Sequence, residues 1–227
     1  MSSICDLIYY ITPRDCTKAF VNRTIGDLFN THPANRNDIT VIGYWNGRKE
    51  EWINTQDIIE VVDVIVKEEG GLIEFSDSEN FNFQIEIWPR SSEVGYGFIK
   101  LRFDRTEISA SVNQRISEII TYAKRVCNSV SPSFVHGGYE LDWIDFNPTK
   151  VPFGRLLSQL SWINFIRSDQ IENPVVLNEI TTARWERVNN HYMIQLSSAP
   201  HERDQISNSK KRVIEILSNP DLNGGRK

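Results

Sequence analysis

Apolar residues fall along this chain in two rhythms, and the switches between them set the expected order of elements. Residues 4–11, Ile-Cys-Asp-Leu-Ile-Tyr-Tyr-Ile, are almost continuously apolar and read as a buried first strand. Thr12, Pro13 and Asp15 then supply the signals of a helix start: a capping hydroxyl, a proline in the first turn and an acid near the positive helix end. That helix would carry Val21, Ile25, Leu28 and Phe29 on one side and stop before Pro33. A second strand, Ile39 to Tyr44, runs toward the turn-prone Asn46-Gly47. Thr55 is placed to cap a second helix, with Ile58, Val61, Val62 and Ile65 at helical spacing and Gly70-Gly71 to end it.

The rhythm then becomes strict alternation. Three strands are expected around 72–76, 81–88 and 97–104. Phe81, Phe83, Ile85 and Ile87 alternate with Asn82, Gln84 and Glu86, and Ile99, Leu101 and Phe103 alternate with Lys100 and Arg102. Alternation puts one face on a core and one in water, the habit of antiparallel sheets. It also sets Glu86 opposite Lys100 or Arg102 as a favourable cross-strand pair. Ser109 or Ser111 opens the clearest helix, with Val112, Ile116, Ile119, Ile120, Ala123 and Cys127 as its stripe and Ser131-Pro132 as its end.

Between 132 and 152 the pattern dissolves among Pro132, Gly137-Gly138, Pro148 and Pro152, and long irregular segments often carry function. Leu156, Leu157, Leu160 and the run Trp162 to Ile166 return to the core. Residues 184–188 and 192–196 form a hairpin around Asn189-Asn190, and a last helix carries Val213, Ile214 and Leu217. The pattern predicts an α+β fold, mainly antiparallel sheet with flanking helices. It is organised as a single domain over residues 1–220, with a frayed tail at 221–227.

Composition narrows the function. Hydrophobic residues at 40% and six Trp are ordinary for a globular chain, and the net charge is −5. The basic cluster Lys210, Lys211 and Arg212 reads as a solvated helix face, so no direct nucleic-acid ligand is expected. Cys5, Cys16 and Cys127 are odd in number and lack CxxC spacing, which argues against a disulfide framework or a zinc cluster. Cys127 falls on a core stripe, whereas Cys16 lies near a helix start that would stabilise a thiolate. The N-terminus lacks the pattern of a signal peptide, and no apolar run is long enough to span a membrane. A cytoplasmic protein with no membrane partner is expected.

Catalytic templates are missing. The sequence holds no GxxxxGK[ST], GxGxxG, HExxH or GxSxG, and His32, His136, His191 and His201 are scattered. No catalytic residue, metal or cofactor is assigned. The densest chemistry is the segment His136 to Asp145. Its polar groups offer a set of oxygen and nitrogen ligands, the alternating face of a strand, or an acidic–aromatic contact loop. The reading carried forward is partner contact through Glu140, Asp142, Trp143 and Asp145, with Trp45 as a second anchor at a loop tip.

The arrangement of a long helix ending in Ser131-Pro132, a Gly-bearing loop, the strand Trp162-Ile163-Asn164-Phe165-Ile166 and the late hairpin 184–196 resembles immunity proteins of bacterial polymorphic and type VI secretion toxin systems. Members of that family carry a glycine pair in the hairpin where this chain has Asn189-Asn190. The resemblance implies a non-enzymatic cytoplasmic protein that binds a cognate protein toxin and occludes its active site. Two alternatives stand beside it: an enzyme or small-ligand domain whose site is assembled from distant residues, and a structural subunit of a phage or defence assembly.

Overall fold

The computed structural model describes residues 4–29, 40–76, 82–90, 95–104, 112–139, 141, 144 and 146–219. Ten strands form one antiparallel sheet. They are β1 (Ile4–Ile11), β2 (Thr40–Asn46), β3 (Glu51–Asn54), β4 (Gly71–Ser76), β5 (Asn82–Trp88), β6 (Gly97–Asp104), β7 (Phe134–Tyr139), β8 (Ile163–Arg167), β9 (Arg184–Val188) and β10 (His191–Gln195). The spatial order is β3-β2-β4-β5-β6-β1-β7-β8-β10-β9. Five helices accompany them among the described residues: α1 (Lys18–Phe29), α2 (Ile58–Lys67), α3 (Val112–Val130), α4 (Phe153–Leu157) and α5 (Arg203–Ser218). The α+β, single-domain expectation holds. The tail at 221–227 lies outside the described residues.

The near-continuous apolar run of β1 has its reason in this order. The strand is flanked by β6 and β7, and its alternate residues feed two cores. Cys5, Leu7, Tyr9 and Ile11 join α1, α2 and α3 on one face, through residues such as Val21, Val61, Ile65, Ile119 and Ala123. Ile8 and Tyr10 join Phe134, Leu157, Leu177, Ile194 and Leu217 on the other. The helices α1–α3 thus back one face of the sheet, while α4, a 3₁₀ turn at Pro174–Glu179 and α5 cover the opposite face over its second half.

Several local expectations need correction. Residues 12–17 are not helical, because Arg14 N–H donates to the Pro89 carbonyl (3.0 Å), and the Thr17 hydroxyl caps α1 by accepting from Phe20 N–H (3.2 Å). Asp57, not Thr55, caps α2, accepting from Ile59 and Glu60 N–H; Thr55 instead accepts from Asp57 N–H. The strand β3 was not expected at all. The segment expected to be irregular contains β7, fully integrated between β1 and β8. There Gly137 is a packing glycine: an added Cβ would lie 2.3 Å from Leu7 Cδ2 and 2.9 Å from Ile163 Cγ2. Other expectations hold, including the left-handed Ser131 closing α3 (φ 48°) and the left-handed Asn189 in the late hairpin (φ 51°).

Ile116 on α3 is 7% exposed and faces the helix-backed core. Replacing Ile116 with Asp would bury an unpaired carboxylate and cost on the order of 4 kcal/mol or more. Thr121→Asp, on the exposed side of the same helix, should stay within about 0.5 kcal/mol of the parent. Thermal melts followed by circular dichroism should show loss of the cooperative transition for Ile116→Asp alone. A cooperative melt retained by Ile116→Asp would mean that the helix register is wrong.

Candidate functional site

The helices back one face of the sheet, and on the opposite face the described helices gather over its second half. Over β2 to β6 that face carries a ladder of polar side chains, set by the register of the strands. One row runs Asn54, Gly43, Glu74, Gln84, Arg102 and Asp6. The next includes Leu72, Glu86, Lys100 and Ile8.

Four of the charges in these rows are paired. The Arg102 guanidinium forks onto Asp6, with Nε donating to Oδ1 at 2.9 Å and Nη2 donating to Oδ2 at 3.2 Å. The Lys100 ammonium pairs with Glu86, the partner the alternation pointed to, and lies almost fully buried. Two-point pairing of this kind fixes geometry as well as charge. Burial raises the Glu74 carboxyl above its ordinary range.

Two indoles stand at the β2–β3 end of this face. Trp45 and Trp52 are directly opposite each other in register, and Trp45 is 42% exposed. Trp45 therefore sits on a strand next to the sheet edge, not at a loop tip. The Trp52 indole lies over Gly43, where an added Cβ would come within 2.5 Å of Nε1, and Nε1 donates to Asn54 Oδ1 at 3.0 Å. Gly43, two residues from Trp45 along β2, thus leaves the space that the Trp52 indole occupies.

Of the other expected contact residues, Glu140, Asp142, Trp143 and Asp145 lie outside the described residues. Their described neighbours turn inward: Leu141 is half-buried and Ile144 is buried, its carbonyl accepting from the Tyr96 hydroxyl at 3.4 Å. His136, considered among the metal ligands, is a core residue. Its Nδ1 lies 3.3 Å from the Gln159 carbonyl, which can only accept, so Nδ1 carries the proton. Nε2 then accepts from the Tyr10 hydroxyl at 3.0 Å. His191 is likewise buried, with Nε2 2.7 Å from the Pro132 carbonyl. Among the described residues no three His, Cys, Asp or Glu side chains gather as a metal site.

The cysteines also depart from a reactive role. Cys5 and Cys127 are buried and their thiols are pushed up by desolvation. Cys16 precedes α1 instead of lying in its first turn. Burial, with the nearby Glu69 carboxylate, pushes it up to about 11, the reverse of a stabilised thiolate.

Fold and face together define a helix-backed antiparallel α+β protein with a ladder of polar side chains on part of its second face and Trp45 and Trp52 near the sheet edge. Among solved structures, the chain is similar to the Pseudomonas aeruginosa T6SS protein PA0821, with a TM-score of 0.57, 9% identity, and coverage of 92% of this chain and 72% of that one. At that identity the likeness is one of fold. An open-form structure of the Paramecium phosphoprotein parafusin aligns at a TM-score of 0.29 and 11% identity, over 59% of this chain and 22% of its own, too loosely to carry an argument. No protein-family model matches the sequence, and no curated protein does. No helix among the described residues is long and apolar enough to cross a membrane.

The buried histidines make stability depend on pH. Desolvation holds His136 down to about 4 from its ordinary 6.5, against the Gln159 hydrogen bond and assisted by the Lys210 charge. His191 shifts the same way for the same first cause. Below the unfolded value the unfolded chain takes up protons that the folded ring refuses. Stability is therefore whole above about 6.5 and falls toward pH 4, by roughly 1.4 kcal/mol per pH unit for His136. Melting curves across this window should show a shallower decline for His136→Gln than for the parent. Identical slopes would exclude a buried neutral His136.

Proposed function

We propose that this chain is a stoichiometric inhibitor, the immunity partner of a type VI secretion toxin, that binds its cognate toxin and occludes the toxin's active site. The observation that carries the reading is the polar face over β2 to β6 with Trp45 exposed on it. An inhibitor needs a presented surface, and a sheet face ordered by the Lys100–Glu86 and Arg102–Asp6 pairs offers one. The likeness of fold to a T6SS protein supports the same reading. The protein acts in the cytoplasm, performs no catalysis and uses no cofactor. Trp45 serves as an aromatic anchor, and the acidic segment with Glu140, Asp142, Trp143 and Asp145 supplies steering charge and a second aromatic contact.

The reading is tested by a tagged pull-down from the native host with mass spectrometry of the bound material. The expected partner is equimolar, toxic when expressed alone and harmless when co-expressed with this chain. Trp45→Ala should weaken the purified complex by about 2 kcal/mol, roughly 30-fold, as loss of a central anchor does. The double variant Asp142→Lys, Asp145→Lys should slow association without lowering the melting temperature. A tight partner that neither set of substitutions affects would remove these surfaces from the account. Recovery of the chain with no partner would remove the inhibitor reading itself.

A further inference from the structure

Where the end of β7 meets the first turns of α5, the surface folds into a cleft of about 370 Å³. That falls within the range of about 300–1,000 Å³ that small-molecule sites occupy. Leu141, Leu160, Pro200 and Ile206 give it an apolar floor. Its wall along α5 is made by Arg203, Ser207 and Lys210, spaced so that all three lie on one side of the helix. The described lining residues include no carboxylate.

Lys210 is the distinctive group. It was expected to be solvated with Lys211 and Arg212, but whereas those two are exposed, Lys210 is half-buried. Burial lowers its affinity for a proton, and its charge reaches inward to His136. Among the described residues no carboxylate pairs with it. A partly desolvated cation that no described carboxylate neutralises costs free energy that an anion placed beside it would offset.

We propose that this cleft binds a small organic carboxylate, its head group paired with Lys210 and its apolar body lying on Leu141, Leu160 and Ile206. A carboxylate monoanion matches the single half-buried ammonium, and the apolar floor favours an anion that carries a hydrocarbon body over inorganic phosphate, which has none. The site adjoins the acidic segment that the inhibitor reading assigns to partner contact, through Leu141, but binding of a small carboxylate to the isolated chain is read without any toxin, so either proposal can fail without the other.

The experiment is a titration of the full chain with octanoate, with octanol as its uncharged counterpart, and with inorganic phosphate, followed by backbone amide shifts. Octanoate should bind one-to-one with shifts confined to 138–141, 160–162 and 203–210, and octanol at least ten-fold more weakly. Lys210→Gln should weaken octanoate at least ten-fold and leave octanol unchanged. Ser207→Trp, at an exposed position, should block both ligands without lowering the melting temperature. Equal binding of octanoate and octanol, undiminished octanoate binding by Lys210→Gln, or phosphate binding as tight as octanoate would each overturn the proposal.

Discussion

Everything in this architecture hangs on one strand having neighbours on both sides. Without β1, the sheet would be two separate units: β3-β2-β4-β5-β6, and β7-β8-β10-β9. With β1 between β6 and β7, backbone hydrogen bonding runs through all ten strands and both cores share one element. The cost is that β1 must be apolar on both faces, and from Leu7 to Ile11 it is buried throughout. Asp6 is the exception, and it occurs where the sheet's second face opens, with Arg102 answering it across the β1–β6 pair.

That exception leads to the asymmetry on which the proposed contact rests. The helices α1–α3 cover one face, whereas among the described residues the second core reaches only Phe98 of β6 and Trp88 of β5 in the first half of the other. A sheet face in water must be polar yet ordered, and here the order comes from side chains paired across strands. Such a face brings few unsatisfied charges into a contact. A partner meets a preset pattern instead of a loose one, so recognition would depend on matching that pattern, with the aromatic pair supplying apolar area.

Much of the fold was legible because burial on one side imposes alternation. Phe83, Ile85 and Ile87, then Ile99, Leu101 and Phe103, carry that pattern, and all six are core residues. The stripe of α3 and the late hairpin were legible for similar reasons. The strand β7 was not, because a strand covered on both faces loses its alternation, and its glycines resemble loop punctuation while serving close packing. The strand β3 is four residues long, too short to show a period. Helix starts were misplaced by a few residues because several side chains nearby could cap, and only tertiary contacts such as Arg14 to Pro89 chose among them. Trp45 could be nominated from sequence, but its position facing Trp52 could not. Nor could the α5 cleft, whose walls come from residues about 70 positions apart.

The central position of β1 also constrains how the chain is made. The strand leaves the ribosome ahead of both its partners, which are residues 97–104 and 134–139. Throughout that interval a strand apolar on both sides has no place to hide, and pairing with β6 alone still leaves an edge able to recruit another chain. Long-range pairing of this kind is slow. The nascent protein therefore passes through a stage in which its most aggregation-prone segment waits for residues not yet synthesised, and holdase chaperones would find their natural client there.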